Sequence, residues 1–334
     1  MNSGFLKYSL LLVSILFFVG CTTKKEEAFT LRASLWANEN HTWFAAFQHF
    51  KTIVDERSEG RLKIEVYPSE QLAKEIESIR LIQADVIDMT VTASLLSNWI
   101  EIANFCEMPF LLKDSIEKDL LLNGPIGKRV EKEMLEKVGL RPLAVFERGP
   151  RQLTSNRPIK HPDDLKGLII RVPNVPTFIT AWSALGAKPT PMAFSEVFTG
   201  LQQGTVEAQE NPFALILSSG YYEVQKYVNM TNHVMSWSYP VIGEKQYQRL
   251  PDDLKIILKE AALEMARYEH KLYLSNEKDV KTQLLDRGME FITVDNEAFK
   301  ARCEQVIFNS LSPEMQVIYN DFQAELAQVN LKDN

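Results

Sequence analysis

The residues best suited to chemistry are an arginine and an asparagine at the ends of two short predicted strands. Residues 168–170 form an apolar run that leads directly into Arg171 before Pro173 breaks the pattern. The segment TVEAQENP predicts a second short strand, which delivers Asn211 just before Pro212. A guanidinium stays charged at any relevant pH and grips a carboxylate through two parallel hydrogen bonds. These residue types therefore indicate the capture of a carboxylate anion.

Each residue also has a structural explanation when it is taken alone. Arg171 could form an internal ion pair with a nearby Asp or Glu, and Asn211 before a proline could be a turn residue. The five histidines are scattered without HExxH or CxxC spacing, and no GxSxG motif is present. Asp163 and Asp164 follow a proline at a predicted helix start, where carboxylates cap free amides. We therefore expect no catalytic residues, no metal site and no cofactor.

The elements that must position these side chains alternate between strand and helix from Phe29 onward. The segments FTLRASLW and RLKIEVYP read as strands around a helix, which predicts an α/β fold with parallel strands joined by crossover helices. Ser195 is predicted to cap a helix that stops at Gly204. From Pro251 to Gly288 the chain has no proline or glycine. A helix of that length reaches roughly 55 Å, so we expect it to cross both domains.

The N-terminus predicts export rather than a structural helix. An apolar stretch follows Lys7 and stops at Cys21, in the sequence FVGC, which is similar to a bacterial lipobox. We expect residues 1–21 to be a lipoprotein signal peptide and Cys21 to carry a lipid that tethers the protein to a membrane. A net charge of −7 argues against nucleic acid as a partner. Whether Cys106 and Cys303 pair is open, with two buried thiols the favoured interpretation.

Longer motifs give the sequence a family resemblance. The stretches RGPRQLTSNRPIKHPDDLKGLIIRVP and ALGAKPTPMAFSEVFTGLQQGTVEAQENP, with EMPFLLKD upstream, closely resemble the DctP-type solute-binding proteins of TRAP transporters. The resemblance covers nearly all of the chain after the signal peptide. It implies that Arg171 and Asn211 bind the ligand carboxylate, that Arg151 is a second arginine near the pocket, and that Phe194 packs on the ligand. One departure is Ala93, where the sialic-acid-binding branch has a glutamate, which argues against sialic acid.

Further site candidates come from position alone, since α/β binding proteins place ligand contacts beyond strand ends. Trp36, Asn38 and His41 follow the first strand, and Thr92 and Ser94 end another. Glu147, which precedes Arg148 near the end of the strand LAVFERG, could accept hydrogen bonds from sugar hydroxyls. We expect the ligand-binding residues to be Arg171, Asn211, Arg151, Phe194, Trp36, Glu147, Asn38 and Thr92.

The resemblance also implies an architecture and a mechanism. The fold would be a two-lobed periplasmic binding protein of type II-like, Venus-flytrap form, with residues 28–148 plus about 237–276 in lobe I and 149–236 plus about 277–325 in lobe II. The lobes would close on a small acid and deliver it to a TRAP-type permease. A sugar acid such as a uronate fits best, while a C4-dicarboxylate or keto acid stays open. The alternatives are a binding protein for an uncharged or hydrophobic ligand and an enzyme acting on an organic acid.

Overall fold

The computed structural model describes residues 28–332, so the predicted signal peptide and Cys21 lie outside the described residues. The fold alternates strands and helices, as the sequence predicts. The strands are β1 (Phe29–Ser34), β2 (Leu62–Tyr67), β3 (Met89–Thr92), β4 (Leu140–Pro142), β5 (Phe146–Ser155), β6 (Ile169–Val172), β7 (Lys188–Pro191), β8 (Ala208–Pro212), β9 (Tyr227–Gly243) and β10 (Glu290–Ile292). The helices are α1 (Thr42–Arg57), α2 (Glu75–Gln83), α3 (Ser115–Asn123), α4 (Pro125–Glu133), α5 (Pro176–Ala184), α6 (Val197–Gln203), α7 (Phe213–Ser218), α8 (Glu244–Arg249), α9 (Asp252–Asp286), α10 (Asn296–Ser310) and α11 (Pro313–Lys332).

One continuous path of strands, in the order β2-β1-β3-β9-β5-β8-β6-β7, runs through the molecule. The 17-residue strand β9 joins its two parts, because its C-terminal end pairs with β3 and β4 and its N-terminal portion pairs with β5 and β10. We call β1–β4 with the end of β9 the first half-sheet. We call β5–β8 and β10 with the start of β9 the second half-sheet.

The expectation of parallel strands is right only in part. The strand β1 pairs in parallel with β2 and β3, and β6 pairs in parallel with β7 and β8. By contrast, β9 runs antiparallel to β3 and β5, and β5 runs antiparallel to β8. The sheet is therefore mixed, with parallel pairs in each half-sheet and antiparallel pairing along β5 and β9.

The predicted long helix is confirmed as α9, which has 35 residues and spans roughly 52 Å at 1.5 Å per residue. Its N-terminal half buries Leu254, Leu258 and Met265 in the core of the first half-sheet, beneath α1. Its C-terminal half buries Val280 and Leu284 in a separate core beneath the second half-sheet. The helix therefore braces both halves of the molecule.

Local details qualify two other predictions from the sequence. Ser195 does not cap α6, because it lies inside a short 3-10 turn, Phe194–Glu196, that precedes the helix. Gly204 does end α6 in the left-handed conformation, with φ of 71°. Cys106 and Cys303 are both buried and free. None of the helices in the described residues is long and apolar enough to span a membrane.

Gly149 lies where β5 passes α9, and its backbone φ of +69° falls in the left-handed region. A Cβ at this position would lie 3.1 Å from Tyr273 Oη. We expect Gly149→Ala to lower the free energy of unfolding by about 1–3 kcal/mol, measured by urea denaturation. The matched control is Gly60→Ala, which has φ of +78° but open space around the Cβ. Equal losses in the two variants would show that the contact with Tyr273 contributes nothing.

Candidate functional site

A cavity of about 420 Å³ lies between the two half-sheets. The first half-sheet and its helices supply one wall, and loops after β6, β7 and β8 supply the other. Side chains from both walls face the same space. The lining residues are Trp36, Glu70, Lys74, Glu75, Ile76, Ala93, Ser94, Leu95, Glu107, Arg148, Arg151, Arg171, Pro173, Asn174, Pro191, Met192, Ala193, Phe194, Glu196 and Asn211.

Arg171 lies on β6 and faces this cavity. Successive side chains of the strand point to opposite faces of the sheet. Ile170 and Val172 are buried in the hydrophobic core, so Arg171 between them points to the opposite face. The residue is 4% exposed, and its guanidinium donates two hydrogen bonds to the backbone oxygen of Met192, at 3.0 and 2.7 Å. These bonds fix its orientation without neutralising its charge.

Within the part of the chain that the structure describes, Arg171 has no carboxylate within ion-pair distance. Burial lowers the pKa of this guanidinium below its ordinary value, because desolvation disfavours the charged form, and the more distant Tyr221 and Glu210 only partly offset that effect. A guanidinium still stays protonated at physiological pH. The site therefore holds a buried positive charge that an anion in the cavity would neutralise.

Asn211 reaches the cavity from the end of β8 and is 1% exposed. Its amide nitrogen donates to the side-chain oxygen of Gln209 at 2.7 Å. Gln209 in turn donates to the Thr154 hydroxyl at 2.8 Å. This chain of hydrogen bonds fixes the amide plane, and Asn211 lies in strand β8 rather than in a turn.

Arg151 also lines the cavity, but its charge is already satisfied. Arg151 donates three hydrogen bonds to Glu210, two to its carboxylate and one to its backbone oxygen, with Nη2 to Oε1 at 2.7 Å. His233 Nε2 donates a further hydrogen bond to the same carboxylate at 3.0 Å. Burial alone would raise the pKa of Glu210, but Arg151 and His233 lower it to about 2. Arg151 is thus part of a buried ion pair in the cavity wall.

Arg148 is paired in the same way, with Glu107 as its partner. The two side chains form a direct ion pair, and Glu107 also lies 3.5 Å from Arg151. The Arg148 guanidinium lies over the rings of Trp36 and Trp43, at 5.5 and 5.9 Å from the ring centroids. Of the three arginines that line the cavity, only Arg171 lacks a carboxylate partner among the described residues.

An aromatic wall closes the space beside Arg171. Trp36 and Phe194 come from opposite sides of the cavity and meet edge to face, with ring centroids 4.9 Å apart. Trp36 is held by a hydrogen bond from its indole nitrogen to the backbone oxygen of Val91 at 3.1 Å. Phe194 also lies 6.0 Å from the Arg171 guanidinium. Both rings line the cavity.

The structure places three of the predicted ligand contacts outside the cavity lining. Glu147 pairs with Lys118 at 2.7 Å and does not line the cavity, although its neighbour Arg148 does. Asn38 donates to the backbone oxygen of Ser218 at 2.7 Å. Thr92 is buried just behind the lining. His41 is also absent from this cavity, and burial followed by the nearby charge of Arg148 lowers its pKa to about 3.

Several cavity residues were not predicted from the sequence. Glu75 is the first residue of α2, and Glu70 and Lys74 precede it in the loop after β2. Glu107 comes from a 3-10 segment, and Asn174 follows β6. The sequence signal for the first three was the polar run SEQLAKE after a strand, which matches the rule that sites lie beyond strand ends.

Contacts across the mouth join the two walls. Lys74 Nζ lies 2.5 Å from Glu196 Oε1, and the Ser195 backbone nitrogen donates to Glu70 at 3.2 Å. A third contact runs from the Asn98 amide to the backbone oxygen of Asn174 at 3.1 Å. The cavity is therefore enclosed by hydrogen bonds between the halves as well as by the aromatic wall.

Together the fold and the site define a class: an α/β binding protein whose ligand cleft lies between two halves linked by strands and one long helix. The described residues contain no cluster of His, Cys, Asp or Glu that could hold a metal ion. Residues 33–312 match the family described as bacterial extracellular solute-binding protein, family 7, also called DctP. This chain belongs to that family, whose members are TRAP-transporter solute-binding proteins rather than enzymes.

Three relatives illustrate the likeness. A solute-binding protein of Roseobacter denitrificans is 42% identical over 89% of this chain and 91% of its own. Its crystal structure, with bound L-galactonate, superposes with a TM-score of 0.86 and covers 89% of this chain and 99% of that one. The 2,3-diketo-L-gulonate-binding periplasmic protein of Escherichia coli is 33% identical over 83% of this chain and 85% of its own. A Polaromonas protein bound to D-erythronate is 30% identical, with a TM-score of 0.79, over 89% of this chain and 96% of that one.

Proposed function

We propose that this TRAP solute-binding protein captures a sugar acid, with Arg171 and Asn211 holding the carboxylate and Trp36 and Phe194 covering the rest. The observation that carries the proposal is the buried guanidinium of Arg171, which faces the cavity without a carboxylate partner in residues 28–332. A carboxylate ligand would supply the missing charge and two parallel hydrogen bonds. The relatives bound to L-galactonate and D-erythronate support a hydroxylated acid as the ligand.

The two alternative functions have less support. A hydrophobic ligand would require Arg171 to be neutralised internally, whereas its contacts are the neutral oxygen of Met192 and the ring of Phe194. An enzyme would require a nucleophile, base or metal at the cavity. The family consists of binding proteins, and Arg148 and Arg151 are held in ion pairs rather than beside a reactive group.

Closure of two lobes is the proposed means of capture. We assign residues 28–148 plus about 237–276 to lobe I and 149–236 plus about 277–325 to lobe II, on either side of the cavity. A ligand that touches both lobes only in the closed state shifts the population toward that state. Met192 supports this coupling, because its backbone oxygen accepts from Arg171 while Ser195 and Glu196, nearby on the same loop, contact lobe I.

The contacts at the mouth give a direct test of closure. We expect Lys74→Gln and Glu196→Gln each to weaken ligand affinity by about two- to fivefold, mainly through faster dissociation, because the pair is half exposed. Stopped-flow fluorescence measures that rate. The control is Arg57→Gln, which breaks the exposed pair with Glu264 far from the cavity. Dissociation rates that match those of the control would contradict a role for the mouth contacts in closure.

Delivery and anchoring complete the proposal. The closed form would pass its acid to the membrane subunits of a TRAP permease, which membership of the family supports. A lipid on Cys21, which lies outside the described residues, would hold the protein at the outer face of a membrane. Incorporation of labelled palmitate into the wild type, and its loss in Cys21→Ala, tests the lipid anchor.

The ligand class is tested by a thermal-shift screen of the chain from residue 22 onward. The panel contains aldonates, uronates, keto acids, C4-dicarboxylates and uncharged sugars. Ligand at a thousand times its dissociation constant should stabilise the protein by about 4 kcal/mol. A shift with an aldonate or uronate that disappears in Arg171→Ala supports the proposal. A shift with an uncharged compound that survives the substitution refutes it.

A further inference from the structure

Glu269, near the middle of α9, is a buried acid without a basic partner in residues 28–332. It is 1% exposed and forms no ion pair within that range. The other buried acids of the described residues each pair with an arginine or a lysine. They are Asp88, Glu107, Glu117, Glu133 and Glu210. Burying a carboxyl group without a cation costs free energy, so stability alone does not explain Glu269.

The carboxyl group of Glu269 joins three elements of the fold. One of its oxygens accepts a hydrogen bond from the hydroxyl of Thr42, the first residue of α1, at 3.2 Å. The other oxygen accepts a hydrogen bond from the backbone nitrogen of Glu147 on β5, also at 3.2 Å. The two acceptors on one side chain therefore satisfy donors from two different elements, which an apolar side chain could not do.

These contacts lie where α9 passes from one half of the molecule to the other. The side chains that α9 buries on the side of the first half-sheet end with Met265 and Glu269. The next buried residue of the helix is Val280, in the core beneath the second half-sheet. Residues 270–279, which we call the joint, bury no side chain. The joint is therefore the part of α9 with the least packing to hold it straight.

Strand β5 crosses between the two halves at the same level. A bulge between Glu147 and Gly149 interrupts its pairing with β9. A Cβ at Gly149 would lie 3.1 Å from Oη of Tyr273, which belongs to the joint. Since Glu269 accepts from the backbone of Glu147, it fastens α9 to β5 just before both elements leave the first half.

We propose that Glu269 is a positioning residue for lobe closure, whose carboxyl group fixes one end of the joint and confines the bending of α9 to residues 270–279. This role rests on the proposed closure of the two lobes. Glu269 is not among the residues that line the cavity, so it acts through the geometry of α9 and β5. With the end of the joint fixed, the open lobes sample a narrow range of orientations and lose less freedom when they close.

The first measurement is the distance between the lobes in the ligand-free protein, by double electron–electron resonance on the chain from residue 22 onward. Spin labels are attached through Lys51→Cys on α1 and Ser183→Cys on α5, which are both exposed positions on helices of different lobes. The native Cys106 and Cys303 are buried. Glu269→Leu removes both acceptors, so it should broaden the distance distribution relative to the wild type.

Two further variants separate the position of the joint from stability in general. Glu269→Gln keeps an oxygen that can accept from Glu147 and gains an amide that can donate to the Thr42 hydroxyl, so the distribution should stay as narrow as in the wild type. Leu258→Ala leaves a cavity in the core beneath the first half-sheet, away from the joint. It should lower the melting temperature without broadening the distribution.

Binding kinetics give a second measurement that a mere loss of stability would not change. Association with L-galactonate should be roughly three- to tenfold slower in Glu269→Leu than in the wild type, since fewer open molecules lie near the closed geometry. Dissociation should keep the wild-type rate, because the cavity and the contacts at the mouth are intact. This pattern is the reverse of that expected for Lys74→Gln. Glu269→Gln and Leu258→Ala should associate at the wild-type rate.

A distribution in Glu269→Leu as narrow as that of the wild type, or equal broadening in Leu258→Ala, would overturn this role for Glu269. Both results are obtained without ligand, so they do not depend on which acid the protein binds. If the distance in the wild type does not change when a bound acid is added, the proposed closure of the lobes fails instead. Cooperative thermal unfolding of each variant establishes that it is folded.

Discussion

Replacing Arg171 with alanine should weaken the binding of a sugar acid such as galactonate by roughly 30- to several-thousand-fold. Losing a buried, charged hydrogen-bonding partner of a carboxylate costs about 2–5 kcal/mol. Arg171 is 4% exposed, so the upper part of this range is expected. Calorimetry of the wild type and the variant measures the difference.

The same substitution should leave the stability of the ligand-free protein nearly unchanged. The wild type already bears the cost of burying a charge without an anion, which offsets the lost hydrogen bonds to Met192. Arg80→Ala, on the exposed face of α2, is the matched control and should change neither affinity nor stability. If Arg171→Ala binds acids as well as the wild type, another group must hold the carboxylate.

Replacing Arg151 with methionine should greatly lower the stability of the ligand-free protein, unlike Arg171→Ala. The substitution leaves Glu210 buried and without its main partner, and breaking a buried ion pair on one side costs about 3–5 kcal/mol. Urea denaturation measures the loss. The control is Arg302→Met, because Arg302 pairs with the exposed Asp163 at the surface and should contribute less than about 1 kcal/mol.

The effect of Arg151→Met should shrink in acid. The pKa of Glu210 in the folded protein is lowered from an ordinary 4.5 to about 2, so its contribution to stability is present in full above pH 4.5. That contribution is lost as the pH falls towards 2. The difference between wild type and Arg151→Met should therefore narrow across this interval. The double variant Arg151→Met with Glu210→Leu should recover part of the loss, and a double variant that is no more stable than Arg151→Met would contradict the ion-pair explanation.

Much of the site could be predicted from short motifs. Arg171 in IIRVP, Asn211 in QENP and Phe194 in PMAF all line the cavity, because each lies at a strand end or in the loop that follows a strand. Their roles as ligand contacts stay predictions that the variants above test. The long helix was also predictable, since a run without proline or glycine depends only on local propensity.

The positions of Glu147 and Arg148 needed the tertiary structure. Successive side chains on a strand point to opposite faces, and a bulge between Glu147 and Gly149 disturbs the local register. Arg148 therefore faces the cavity while Glu147 turns to Lys118. The sequence predicted that both residues lie near the pocket, but it did not determine which side of β5 each side chain faces.

The sequence by itself determined the family, the α/β elements and the residues that end in the cleft, because these follow from local pattern and motif. Only the tertiary structure decided which of the cavity arginines has a carboxylate partner. Arg151 is neutralised by Glu210 on a strand 59 residues away, and Arg148 by Glu107, 41 residues away. Arg171 has no such partner in residues 28–332. Ion pairing depends on which side chains the fold brings within about 4 Å, and no single stretch of sequence contains that information.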